Sequence, residues 1–164
     1  MIKAWNQRNP IVANLLNPAF CGEVLRRTAD AYNKATNTNF PFAFSFIVLP
    51  ILLHKDTRDR MPKTTRSYLF AWVENNEDLF YNFSIRARQM VPFTKESILF
   101  LLQNDLIEID DKSQIIVKAR RIKRYSGDDL EEVDTILKKS EMLGKWLSHN
   151  SSINSVYSFF RITP

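Results

Sequence analysis

Asp56 and Asp59 lie close together, as do the carboxylate pairs in which one group acts as general acid and the other as base. They are interleaved with Arg58 and Arg60, so mutual ion pairing is the simpler account of both. Few other groups offer chemistry. The two histidines, His54 and His149, belong to no cluster spaced for a metal. Cys21 is the one cysteine and falls on the apolar face of an expected helix, where a free cysteine behaves as a small core residue rather than a nucleophile. Nucleophile elbows, Walker lysine loops, dinucleotide fingerprints and zincin helices are absent. Three glycines leave little for a phosphate-cradling loop. The sequence therefore points to no catalytic residue, no cofactor and no metal. An enzyme would need groups distant in the chain to converge in a pocket.

Two charged stretches remain. Residues 54–66 hold five cations and two carboxylates directly after 40–53, the most apolar run. A solvated connector between helices accounts for such a stretch. Its alternation of Arg, Asp, Thr and Pro also fits a partner-facing or loop-ordering cluster made of His54, Lys55, Asp56, Thr57, Arg58, Arg60 and Arg66. The second stretch, Lys118, Arg120, Arg121, Lys123 and Arg124, places five cations within seven residues. It suits nonspecific phosphate contact, or simply an exposed basic linker.

The chain that carries these groups has the size of one domain, with 164 residues, 45% hydrophobic and 25% charged. Twelve Phe, three Trp and five Tyr argue against disorder, because they give folding much surface to bury. A net charge of +5 admits nucleic acid or an acidic protein surface without demanding either. A single cysteine suits a reducing cytoplasm. Residues 1–12 are polar and broken by Pro10, unlike a signal peptide. The run 40–53 is too short for a bilayer, which takes about 20 apolar residues.

The elements that must position the charged groups are mostly helices. Residues 1–16 form an N-terminal arm and 17–91 a helical part. Asn17 and Pro18 mark a helix start. Phe20, Cys21, Val24, Leu25, Thr28 and Tyr32 then recur at helical spacing. A core helix is expected over 42–54, kinked at Pro50, with others over 65–74 and 77–90. Thr94 is placed to cap a helix reaching 104, with Ile98, Leu101 and Leu102 buried. Strands follow at 106–109 and 115–117 across a polar turn at Asp110. Helix, strand, turn and strand over 92–117 read as the second half of a winged helix-turn-helix. That helix carries one lysine, and the wing tip Asp110-Asp-Lys is net acidic, so neither suits DNA readout. Residues 118–127 form the basic linker. Asp129 and Glu132 have capping-box spacing ahead of a helix over 130–149, in which Ser140 and Gly144 allow close approach of another element. A strand over 153–162 completes 128–164. The fold class is α+β, mainly α-helical. It has a winged helix-turn-helix-like core, additional helices, and a C-terminal helix and strand, all in a single domain.

Residues 17–25, Asn-Pro-Ala-Phe-Cys-Gly-Glu-Val-Leu, and the run 41–58 from Pro-Phe-Ala-Phe to His-Lys-Asp-Thr-Arg resemble the middle component of bacterial three-component ABC systems. The likeness continues through Arg60-Met-Pro62, Thr65-Arg66, Trp72, Arg86-Ala-Arg88, Val91-Pro-Phe-Thr94, 139–146 and 160–164. The Lys- and Arg-rich stretch after Val117 departs from the pattern. The resemblance implies a non-enzymatic adaptor, with an SMC- or RecN-like ABC ATPase and an effector as partners, in conflict with phages or other invading DNA, and the single cysteine places it in the cytoplasm. The resemblance supplies no catalytic residue and no cofactor. The alternative is a DNA-binding winged-helix protein or transcriptional regulator, which the basic stretch supports.

Overall fold

The computed structural model describes residues 7–119, 126, 129–150 and 152–162. Trp5, Arg120, Arg121, Lys123 and Arg124 lie outside the described residues. The chain begins with α1 (Pro10–Leu15), α2 (Pro18–Thr36) and the short strand β1 (Phe40–Pro41). A 3-10 turn at Phe42–Phe44 leads into α3 (Ser45–Leu52), then α4 (Lys55–Arg60) and α5 (Leu69–Glu74). A second 3-10 turn, Glu77–Phe80, precedes the long α6 (Phe83–Gln103), and the strands β2 (Ile107–Ile109) and β3 (Gln114–Val117) follow. Last come α7 (Leu130–Ser148) and α8 (Ile153–Phe159). The fold is thus mainly helical α+β, with a small antiparallel sheet in the order β1-β3-β2. Ile107 pairs with Val117, and Phe40 with Ile115.

Local chemistry explains most of these boundaries. Asn17 Oδ1 accepts the Ala19 N–H at 2.8 Å, and Pro18 takes the first helical position, where a missing N–H leaves no gap. Asn37 ends α2 in the left-handed region at φ 56°. The inner face of α2 carries Cys21, Val24, Leu25, Thr28 and Tyr32, all buried. Its principal neighbour is α7. A Cβ on Gly144 would lie 2.2 Å from the Thr28 carbonyl oxygen and 3.0 Å from the Ala31 Cβ, so only glycine lets the two backbones come this close. Ser140, one turn earlier, is fully buried and donates to the Leu137 carbonyl at 2.6 Å. Between these helices and α6 lies α3, buried from Ile47 to Leu52.

Several expectations are corrected. Residues 153–162 do not form a strand. Ile153, Val156, Tyr157 and Phe160 repeat at helical spacing, and Ser152 Oγ caps α8 by accepting the Ser155 N–H at 3.2 Å. The β-branched and aromatic content pointed to the wrong element there. The helix expected over 77–90 begins only at Phe83, after the 3-10 turn, and is continuous with the one expected to end at 104, forming α6, which runs through Pro92. Pro92 and Arg88 are both exposed, so water can serve the Arg88 carbonyl that the proline leaves without a donor. Thr94 therefore sits mid-helix and caps nothing. Its buried hydroxyl has no hydrogen-bond partner among the described residues. Leu102 is exposed rather than buried. The helix expected over 65–74 starts only at Leu69. The charged connector after α3 contains a helix of its own, α4. Asp129 makes no side-chain capping bond, and Glu132, the second half of the expected box, accepts from Arg58 instead.

Candidate functional site

The charged stretch owes its order to the helix before it. Helix α3 is buried to its last residue, Leu52, and its last carbonyls need partners that the helix itself does not supply. Leu53 N–H serves the Leu49 carbonyl at 2.9 Å. Arg86 Nε donates to the Pro50 carbonyl at 3.0 Å, and Arg58 Nη1 to the Leu52 carbonyl at 2.9 Å. Two guanidinium groups thus stand at the negative end of a buried helix, where positive charge is favoured. Arg86 also reaches the Leu79 carbonyl at 3.3 Å and lies 5.2 Å from the Phe83 ring centroid. Burial holds its pKa below the usual arginine range. Arg58, only 4% exposed, completes its fork on Glu132 at 2.6 Å. His54 opens α4, its Nδ1 accepting the Thr57 N–H at 3.3 Å. Burial, and after it the charge on Arg86, pushes His54 below its ordinary pKa, which suits the neutral ring that an accepting nitrogen requires.

Between α4 and α5 the chain has no regular hydrogen-bond ladder, and side chains from distant elements hold carbonyls from Arg60 onward instead. Trp72 Nε1 donates to the Arg60 carbonyl at 3.1 Å. Lys139 Nζ donates to the carbonyls of Met61 and Pro62, each at 2.8 Å. Trp146 Nε1 donates to the Ser67 carbonyl at 2.6 Å. Met61 is buried under this arrangement, while Lys63, Thr64, Arg66 and Tyr68 face solvent. Tyr68 meets the His149 ring edge-on, centroids 5.7 Å apart. Burial lowers the Lys139 pKa, yet both of its acceptors favour the ammonium form.

Of the residues singled out in the sequence, Thr57 and Arg58 are interior and His54 half-buried, whereas Lys55, Asp56, Arg60 and Arg66 are exposed. The expected pairing of Asp56 and Asp59 with Arg58 and Arg60 does not occur. Asp59 pairs with Lys55, and Arg60 reaches Asp78 at 2.5 Å. Arg58 goes to Glu132. The arginines face outward from their own helix because their partners lie in other elements. Sequence reasoning missed Arg86, Lys139 and the indole N–H groups of Trp72 and Trp146 as clamps. Each acts across the fold, and only the excess of donors over local acceptors could have hinted at them.

Lys118, the described member of the basic stretch, is half-buried and pairs with Glu108 at 2.5 Å. Cys21 is fully buried, and burial pushes its thiol up to about 12, in keeping with a core role. Among the described residues no group of three His, Cys, Asp or Glu could hold a metal ion. No described helix is long and apolar enough to cross a membrane. No curated protein and no solved structure matches the chain. The family model for the ABC-three component (ABC-3C) system Middle Component 3 matches residues 5–164, nearly the whole sequence, and the chain belongs to that family.

Proposed function

We propose that this middle component is a non-enzymatic cytoplasmic adaptor. It would join the SMC- or RecN-like ABC ATPase of its system to the effector, in defence against phages or mobile elements. The observation that carries this reading is the clamped segment 61–68. Three carbonyls of this irregular stretch accept from Lys139 and Trp146, and Trp72 holds the Arg60 carbonyl at its start, so Lys63, Thr64, Arg66 and Tyr68 are presented on a backbone already fixed. A surface ordered before binding loses less entropy on docking. Within the cluster His54, Lys55, Asp56, Thr57, Arg58, Arg60 and Arg66, the ordering role goes to His54, Thr57 and Arg58, and the partner-facing role to Arg66 and its exposed neighbours. The succession α6, β2, β3, with β1 paired to β3, supports a winged-helix-like frame. DNA readout by that frame is weakened by the outer face of the last turns of α6, where Leu99 and Leu102 stand exposed in place of cations.

The test is co-purification with the ATPase and effector of the same system, with and without nuclease. Both partners are expected in both samples. Lys63→Glu with Arg66→Glu should weaken recovery of one partner about tenfold at unchanged Tm, since both side chains are exposed. Unaltered recovery would remove the segment from the interface. Loss of the partners on nuclease treatment would favour DNA bridging.

A further inference from the structure

A second surface carries complementary charge side by side. One groove, of about 530 Å³, lies between the start of α3, the middle of α6 and the end of α8. Its floor is apolar. Phe42 and Phe46 meet edge-on at 5.5 Å, and Val91 lies beside them. The Tyr157 hydroxyl donates to the Ala43 carbonyl at 2.6 Å and ties the two walls together. The rim is cationic, with Arg88 and Lys95 two turns apart on α6 and Arg161 after α8. Arg161 is held in the left-handed region at φ 54°, its N–H donating to the Ser158 carbonyl at 3.0 Å. Among the described residues no carboxylate lines this groove. Arg8, Arg26, Arg27, Arg58 and Arg60 each have a carboxylate within ion-pair distance, but Arg88, Lys95 and Arg161 have none among the described residues.

The adjoining depression has the opposite character. Its rim bears Glu74, Glu77 and Asp78, and Tyr81 stands out at 88% exposure. Asp78 is taken by Arg60, but Glu74 and Glu77 pair with no cation among the described residues. Ser84 and Arg161 line both depressions, so the acidic and the basic surfaces share a border. Two patches of opposite charge that meet at one border are self-complementary about a two-fold axis through it. Rotation by half a turn lays each acidic rim, with its tyrosine, on the partner's cationic apolar groove, and the interface is counted twice. We infer that a second copy of this chain occupies the groove, Tyr81 entering over Phe42, Phe46 and Val91 while Glu74 and Glu77 face Arg88 and Lys95. Nucleic acid is a poorer fit, because phosphates gain nothing from an apolar floor. Such a dimer would display two clamped 61–68 segments.

The test is light scattering on the full chain across about 1–100 μM, the range in which small interfaces assemble. Wild type is expected as a dimer. The variants Arg88→Glu/Lys95→Glu and Glu74→Lys/Glu77→Lys change exposed side chains and should each be monomeric at wild-type Tm. Mixed in equal amounts they should form a heterodimer, since every reversed rim then meets a reversed rim. Tyr81→Ala should weaken wild-type association about tenfold, as a central aromatic anchor does. A wild-type chain monomeric at the highest concentration overturns the proposal. So do variants that remain dimeric, a mixture that remains monomeric, or growth past the dimer, which would mean an open rather than a closed contact.

Discussion

The α2–α7 contact and the segment 54–68 are both rigid, for opposite reasons. The helix pair is held by shape. Gly144 and Ala31 remove side-chain bulk so that backbone meets backbone, Ser140 and Thr28 bond within their own helices, and the Arg27–Glu141 ion pair, at 2.9 Å, crosses only at the exposed edge. The segment 54–68 has little shape to rely on. It is fixed by donors aimed at carbonyls: its own Arg58 reaches back to Leu52 of α3, and Lys139, Trp72 and Trp146 reach in to its carbonyls. Close packing tolerates no added atom, whereas a donor-clamped backbone tolerates change at its exposed positions, though not at the buried Thr57 and Met61. The second kind of region can vary its exposed residues freely, as a recognition surface must.

Gly144→Ala breaks the first region most severely. With the Thr28 oxygen 2.2 Å from the new Cβ, the helices must part, at a cost of about 3 kcal/mol. Thermal melting should show Tm lower by roughly 10 °C, and a wild-type Tm would mean that the helices are not so close. Arg58→Met breaks the second. It keeps the buried stem but leaves the Leu52 carbonyl without its donor, costing about 2 kcal/mol in chemical denaturation. Glu132→Gln should cost only a few tenths of a kcal/mol, because that side chain is largely in water. Equal losses in the two variants would place the stabilisation in the ion pair rather than at the helix end.

Lys139→Met sharpens the comparison, since it should loosen residues 61–68 with little effect on the whole. Trypsin cleavage after Lys63 or Arg66 should accelerate about tenfold while Tm moves by only a few degrees. Unchanged cleavage would show that the lysine is not a clamp. The smallest effect is a pH dependence. His54 titrates below its ordinary value of 6.5 in the fold, so the unfolded chain binds its proton first as pH falls. Stability should decline from about 6.5 down to the lowered folded value and then level off. His54→Asn, which keeps an accepting cap without a titrating ring, should flatten that slope. A slope unchanged in the variant would assign it to other groups.

What the sequence made legible follows the same division. The inner face of α2, the buried Cys21 and the close approach at Gly144 could be read, because packing faces announce themselves by period and by small residues. The turn at Asp110 was equally legible. Its Oδ1 accepts the N–H groups of Lys112 and Gln114, at 2.9 and 2.8 Å, as the local sequence requires. The candidate site was legible only as an anomaly of charge. Its wiring joins residues more than seventy positions apart, and no local rule links Lys139 to Met61 or Trp146 to Ser67. Element boundaries failed where two signals compete. At 153–162, β-branched and aromatic composition outweighed a helical period, and at Pro92 a residue that usually stops a helix stands where water can repair the break.

The close fit of Thr28 and Ala31 against Gly144 also has a bearing on synthesis. During translation, that side of α2 is made roughly a hundred residues before the glycine that receives it. At about 5–20 residues per second the interval is on the order of ten seconds. Until α6 has been made it cannot cover the early helix at all, and afterwards it covers only part, so the rest stays open to water or to other nascent chains. A helix made early is therefore completed late, so the yield of folded protein should be sensitive to translation speed and to chaperones that shield apolar surface.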